Sequence, residues 1–199
     1  MSIIVVDFVC RVLERKGVRR MFLLDYLDYT LKKLKANMAN ILTMTNLSLG
    51  GFSVLTTLKG QLNVSLLLVF LAALVDRFDG AVARKLNIES ELGKQLDSMS
   101  DIISFGVAPA LLIYQSLLHE FGAPGAFFTI LYIGCGAFRL ARFNITENSG
   151  YFSGLPITAA GVLLTLSYLT IHYFPPQFFI FLMITLSFLM VGTFKLKKI

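Results

Sequence analysis

The chain has 199 residues, 56% of them apolar and only 15% charged, and its mean hydropathy is +0.73. So little charge excludes an ordinary soluble domain, which needs polar side chains to cover its surface, and makes lipid the expected outer solvent. The net charge of +6 comes with no RNA- or DNA-reading motif, so no nucleic-acid partner is expected.

Residues 1–20 open with an apolar run, Ile3–Cys10, that precedes its basic residues and has no small-residue cleavage site. That order is not the order of a signal peptide. Met21 begins a segment that would serve equally well as a start, so residues 1–20 read as an extension. Residues 22–37 place Phe22, Leu23, Tyr26, Leu27 and Leu31 on one helical face, followed by Lys32, Lys33 and Lys35. This pattern suits a basic amphipathic helix lying on an anionic leaflet, or a solvated linker. Cys10 and Cys135 stand in no metal-ligand spacing and read as small hydrophobes.

Six apolar segments come next, at 41–58, 62–85, 94–118, 124–144, 155–174 and 177–194, each near the length that crosses a bilayer. The expected architecture is all-α, a polytopic membrane bundle of six transmembrane helices preceded by the interfacial helix. Residues 1–37 form the extension and residues 38–199 the membrane domain. With the N-terminus in the cytoplasm, the loops near 59–61, 119–123 and 174–177 are external and hold only Lys59 of the 18 basic residues. Both termini and the loops near 86–93 and 145–154 are then cytoplasmic, as the distribution of lysine and arginine requires.

Four aspartates, Asp76, Asp79, Asp97 and Asp101, lie in or beside these helices. Carboxylates there are expensive unless a cation or a watery site receives them. At helical spacing, Asp76, Asp79, Gly80 and Ala83 share one face, and Asp97 and Asp101 share a face of the next helix. The short connection around Asn87–Glu91 makes these helices antiparallel neighbours, so both pairs meet near the cytoplasmic surface. Mutual repulsion would be relieved by divalent ions, and a site of oxygen ligands without histidine or cysteine favours Mg²⁺ or Mn²⁺. Gly80 and Ala83 leave room for a bulky group, Arg84 can pair with a phosphate, and Gly93 allows a close turn. Helix packing through small residues is the other reading of Gly80 and Ala83.

The pattern Asp76-x2-Asp79-Gly80-x2-Ala83-Arg84-x8-Gly93-x3-Asp97-x3-Asp101 resembles the signature of the CDP-alcohol phosphotransferase family. The resemblance extends to the six-span layout from about residue 38 onward. It implies two Mg²⁺ or Mn²⁺ ions held by Asp76, Asp79, Asp97 and Asp101, with Asp101 also the catalytic general base. It further implies CDP over Gly80 and Ala83, with its phosphates on the metals and Arg84, and a homodimer. The implied donor is CDP-diacylglycerol, attacked directly by an alcohol at the cytoplasmic face of the cell membrane.

Two stretches bear on nucleotide and acceptor. Asn40-x2-Thr43-x2-Asn46 opens the first span and is similar to a stretch of the family branch that takes L-serine. Asn40 and Thr43 are expected to touch CDP, helix capping being the other reading. Arg139-Leu-Ala-Arg142-Phe-Asn144 also resembles that branch. Arg139 and Arg142 are three apart and share a face, where they could hold a carboxylate, with Asn144 beside them. They could instead snorkel to lipid phosphates. Glycerol 3-phosphate and inositol or its phosphate are the other acceptors within the family. A divalent-cation transporter is the reading from another class, against which Arg84 speaks.

Overall fold

The computed structural model describes residues 40–86, 91–145, 152–192 and 195–196. The interfacial helix expected within 22–37 lies outside them, as does the rest of the extension. Six helices run through the described chain: α1 (Asn40–Leu58), α2 (Leu62–Leu86), α3 (Glu91–Ser116), α4 (Ala123–Ile145), α5 (Ile157–Thr170) and α6 (Pro176–Val191). Phe152–Ser153 and Lys195–Leu196 form a two-residue antiparallel ribbon beside the helices.

Lipid solvation accounts for this arrangement. Where no water can pair with the backbone, each segment must satisfy its own N–H and C=O groups, and a helix does so. α1, α3 and α4 are long and apolar enough to cross a membrane. α2 is as long, but its last three turns carry Asp76, Arg77, Asp79, Arg84 and Lys85. α5 and α6 are shorter apolar helices without a charged residue. The outer surface carries Phe52, Leu67, Leu71, Leu74, Ile130, Phe138, Phe181 and Phe188, all exposed. Water would not tolerate so much apolar surface, and the bundle is membrane-embedded.

Connections are tight at the end opposite the aspartates. Gly60, at φ +75°, turns α1 into α2, a backbone region that a Cβ disfavours. Just inside that turn, Ser53, Thr57 and Ser65 form a buried knot of hydroxyls. Ser65 Oγ lies 2.8 Å from Ser53 Oγ and 2.6 Å from Thr57 Oγ1. Such bonds between membrane helices contribute about 0.6 kcal/mol each.

α3 occupies the middle of the bundle, packed against α2, α4 and α5. Its Phe105, Ala108, Leu112 and Ile113 are fully buried. It is not a uniform α-helix, because residues Ile102–Val107 are wound as π-helix, with Ala108 N–H bonded to the Ile103 carbonyl. Pro109 explains the widening. It has no N–H for the Phe105 carbonyl four residues earlier, and its ring crowds that carbonyl. α5 presses closely there, for a Cβ on Gly161 would stand 2.7 Å from Phe105 Cβ and 2.8 Å from its Cα. Gly161→Ala is therefore expected to destabilise the bundle by about 1–3 kcal/mol, the range for overpacking. Gly51→Ala is the control, since nothing lies within 4 Å of a Cβ at that position. A lower melting temperature in detergent for the first variant and not the second would bear this out.

Candidate metal centre

The polar end of α2 and the first half of α3 come together where the sequence expects them. Asp76 on α2 and Asp97 and Asp101 on α3 each present a carboxylate oxygen, and these atoms lie within 4.8 Å of one another. At an effective dielectric of about 20, each pair of charges at that range repels by about 3–4 kcal/mol. Asp101 is buried at 9% exposure, and its Oδ1 has no hydrogen-bond partner among the described residues. A buried, unpartnered carboxylate oxygen beside two other carboxylates suits a bound cation. The donors are all oxygen, so the residues fit a hard divalent ion. Asp79 lies three residues beyond Asp76 on α2, but its side chain is outside the described residues. The same holds for Ala83 and Arg84, whose helical backbone alone is described. Gly80 on α2 and Gly93 on α3 are half-buried.

α4 brings the arginine. Arg139 is buried at 7% exposure and faces Asp101 closely enough for the two charges to interact. Its guanidinium carbon lies 5.8 Å from the centroid of the Phe143 ring, a cation–π distance. Nε of Arg139 has no partner among the described residues.

Arg142 and Asn144 take different positions. Arg142 donates from Nη1 to the Val191 carbonyl at 2.8 Å and from Nη2 to the Gly192 carbonyl at 3.4 Å. Those carbonyls end α6 and would otherwise lack helical donors. Leu155 N–H takes the Leu189 carbonyl at 2.9 Å, so α4, α6 and the segment before α5 are fastened together. Gly154, at φ +81°, allows this, because a Cβ there would stand 2.5 Å from the Met190 carbonyl oxygen. Asn144 donates from Nδ2 to Ser98 Oγ at 3.0 Å. Ser98 neighbours Asp97, so this bond ties the end of α4 to α3 beside the carboxylates.

α1 lines the other side of α3. Ser100 donates to the Thr43 carbonyl at 3.4 Å and Ser104 to the Asn46 carbonyl at 3.1 Å. Thr43 and Asn46 are thus buried at the level of Asp101, and the Asn46 Oδ1 has no partner among the described residues. Asn40 lies on a different face, in an open groove with Ile41, Met44, Thr45 and Ser48. Sequence reasoning passed over Ser98, Ser100 and Ser104. Their signal was three hydroxyls on a helix that also bears the aspartates.

Comparison with known proteins agrees with this geometry. A family model described as CDP-alcohol phosphatidyltransferase matches residues 36–192. The chain is 40% identical over 164 residues to an archaetidylserine synthase of Methanothermobacter thermautotrophicus, a match covering 80% of this chain and 69% of that protein. It is 39% identical over 130 residues to a CDP-diacylglycerol–serine O-phosphatidyltransferase of Helicobacter pylori, covering 64% of this chain and 55% of that protein. A protein of the same name from Bacillus subtilis is 35% identical over 127 residues, covering 63% of this chain and 72% of that protein. The match thus spans about half the length of the Helicobacter protein.

Proposed function

The chain belongs to the CDP-alcohol phosphatidyltransferase family, and on that premise we propose that it transfers the phosphatidyl group of CDP-diacylglycerol to the hydroxyl of L-serine. The products are phosphatidylserine and CMP. The observation that carries the reading is the meeting of Asp76, Asp97 and Asp101, with buried Arg139 set against Asp101. The names of the three relatives differ in the lipid but share serine.

Asp76, Asp97 and Asp101, joined by Asp79 from the same face of α2, would hold two Mg²⁺ or Mn²⁺ ions, which when bound neutralise charge on the transferring phosphoryl and the departing CMP. The small residues Gly80 and Ala83 leave space on that face for the nucleotide, with Arg84 in reach of a phosphate oxygen. Gly93 at the start of α3 and Thr43 on α1 would border the same volume. Asp101 takes the proton of the acceptor hydroxyl as its oxygen attacks phosphorus. A phosphoester bond forms, the phosphoanhydride bond breaks, and CMP leaves with the electron pair. Ser98, Ser100 and Ser104 already donate their hydroxyls to backbone or side-chain oxygens, which supports direct attack by the acceptor over a serine-bound intermediate. Arg139 receives the carboxylate of serine. Arg142, through α6, and Asn144, through Ser98, hold the end of α4 on which Arg139 stands.

The basic clusters support a cytoplasmic site and cytoplasmic termini. Residues 38–199 form the membrane domain, residues 1–37 an extension, and the family resemblance supports a homodimer. The test is CMP release by purified protein supplied with CDP-diacylglycerol, Mn²⁺ or Mg²⁺, and one acceptor at a time. Release is expected with serine, and lost on adding a chelator. Release with glycerol 3-phosphate or inositol in place of serine would overturn the acceptor, and no release with any acceptor would overturn the activity.

A further inference from the structure

Asp101 is the last residue before the π-helical turn of α3, and that turn is held from three sides. Pro109 supplies no N–H to the Phe105 carbonyl. Tyr132 on α4, fully buried, donates its hydroxyl to that same carbonyl at 3.4 Å. α5 packs on the Phe105 backbone through Gly161, and α1 packs on Ser104 through Gly50, where a Cβ would stand 2.8 Å from Ser104 Cα. A π turn takes in an extra residue and so rotates the helix on its N-terminal side relative to the helix on its C-terminal side. The residues on the C-terminal side are locked in the bundle core. The direction in which Asp101 faces is therefore set by the turn.

We propose that Tyr132 is a positioning residue: its hydroxyl bonds the Phe105 carbonyl, to which Pro109 brings no N–H, stabilises the wide turn, and thereby aims Asp101 and Asp97, both on the N-terminal side of that turn, at Asp76. The inference rests on the reading of Asp101 as ligand and base. Tyr132 bonds the backbone of α3, not a carboxylate, and acts through the backbone of residues 102–107. A buried hydroxyl and a buried carbonyl that lose one another each go unsatisfied in a medium with no water to replace them.

The experiment compares Tyr132→Phe, which removes one oxygen, with Thr129→Val, which removes a buried hydroxyl bonded only within α4, to the Gly125 carbonyl. Pro109→Ala is the second probe, because it restores an N–H that competes for Phe105 and favours an ordinary α turn. Mn²⁺ binding is measured on purified protein without substrate, alongside kcat and KM for CMP release. Tyr132→Phe and Pro109→Ala are each expected to weaken Mn²⁺ binding and to lower kcat by about fivefold or more, the scale of one lost hydrogen bond. KM for CDP-diacylglycerol stays within about twofold, and Thr129→Val matches the wild type. Mn²⁺ affinity and kcat unchanged in both Tyr132→Phe and Pro109→Ala would overturn the proposal. A wild-type protein that releases no CMP would overturn the functional reading alone, since the metal-binding comparison still decides the role of Tyr132.

Discussion

Replacement of Asp101 by asparagine is expected to lower CMP release by about 10²–10⁴-fold, the contribution of a positioned general base. The variant is nearly isosteric, so the helix packing around position 101 and the melting temperature in detergent should hold. Two roles would be lost at once, as ligand and as base, and they can be separated with Asp76→Asn. Asp76 is a ligand only in the proposed mechanism, so raised Mn²⁺ should restore much of the activity of Asp76→Asn. It should restore little to Asp101→Asn, because an amide cannot take the acceptor proton however much metal is present. Recovery of both variants at high Mn²⁺ would remove Asp101 from the role of base and leave it as one ligand among several.

The second large effect concerns the acceptor. Arg139→Gln should raise the KM for serine by about 30- to 100-fold, the scale of a charge-assisted hydrogen bond to a carboxylate. The KM for CDP-diacylglycerol should change little. Arg142→Gln should behave differently. Two of its bonds run to the carbonyls that end α6, so the principal loss is expected in melting temperature, with serine KM moving by only a few fold. Equal increases in serine KM for the two variants would mean that Arg142 also reaches the acceptor. Wild-type KM in Arg139→Gln would place the serine carboxylate elsewhere.

The helices were legible because their cause is local. Apolar length, punctuated by Pro124 and the pair Pro175–Pro176, sets where a chain in lipid can turn, and all six expected spans appear as helices. The fifth ends earlier than hydropathy implies, at Thr170, because residues 171–174 form a turn before Pro175 although they remain largely apolar. The aspartates were legible for the same reason, since spacings of three and four residues place side chains on one face whatever else the helix does. The π turn was not. Pro109 sits in an apolar run that reads as one uninterrupted span, and only tertiary partners such as Tyr132 and Gly161 make a wide turn there stable. The partner of Arg142 was equally hidden, because the carbonyls at the end of α6 belong to the backbone and leave no residue type to read. Arg139 and Arg142 looked alike in sequence, three residues apart, and the bundle gives them different neighbours.

The helices also differ in length in a way that reaches beyond the protein. α4 has 23 residues and α6 only 16, which at helical rise makes them about 34 Å and about 24 Å long. The two pack extensively against each other, yet a bilayer's hydrocarbon core is about 30 Å thick. Lipid beside α6 is therefore expected to be thinner than lipid beside α4, at a cost of a fraction of a kcal/mol per ångström of mismatch. An annulus of uneven depth would make chain length in the host lipid a physical variable for the protein.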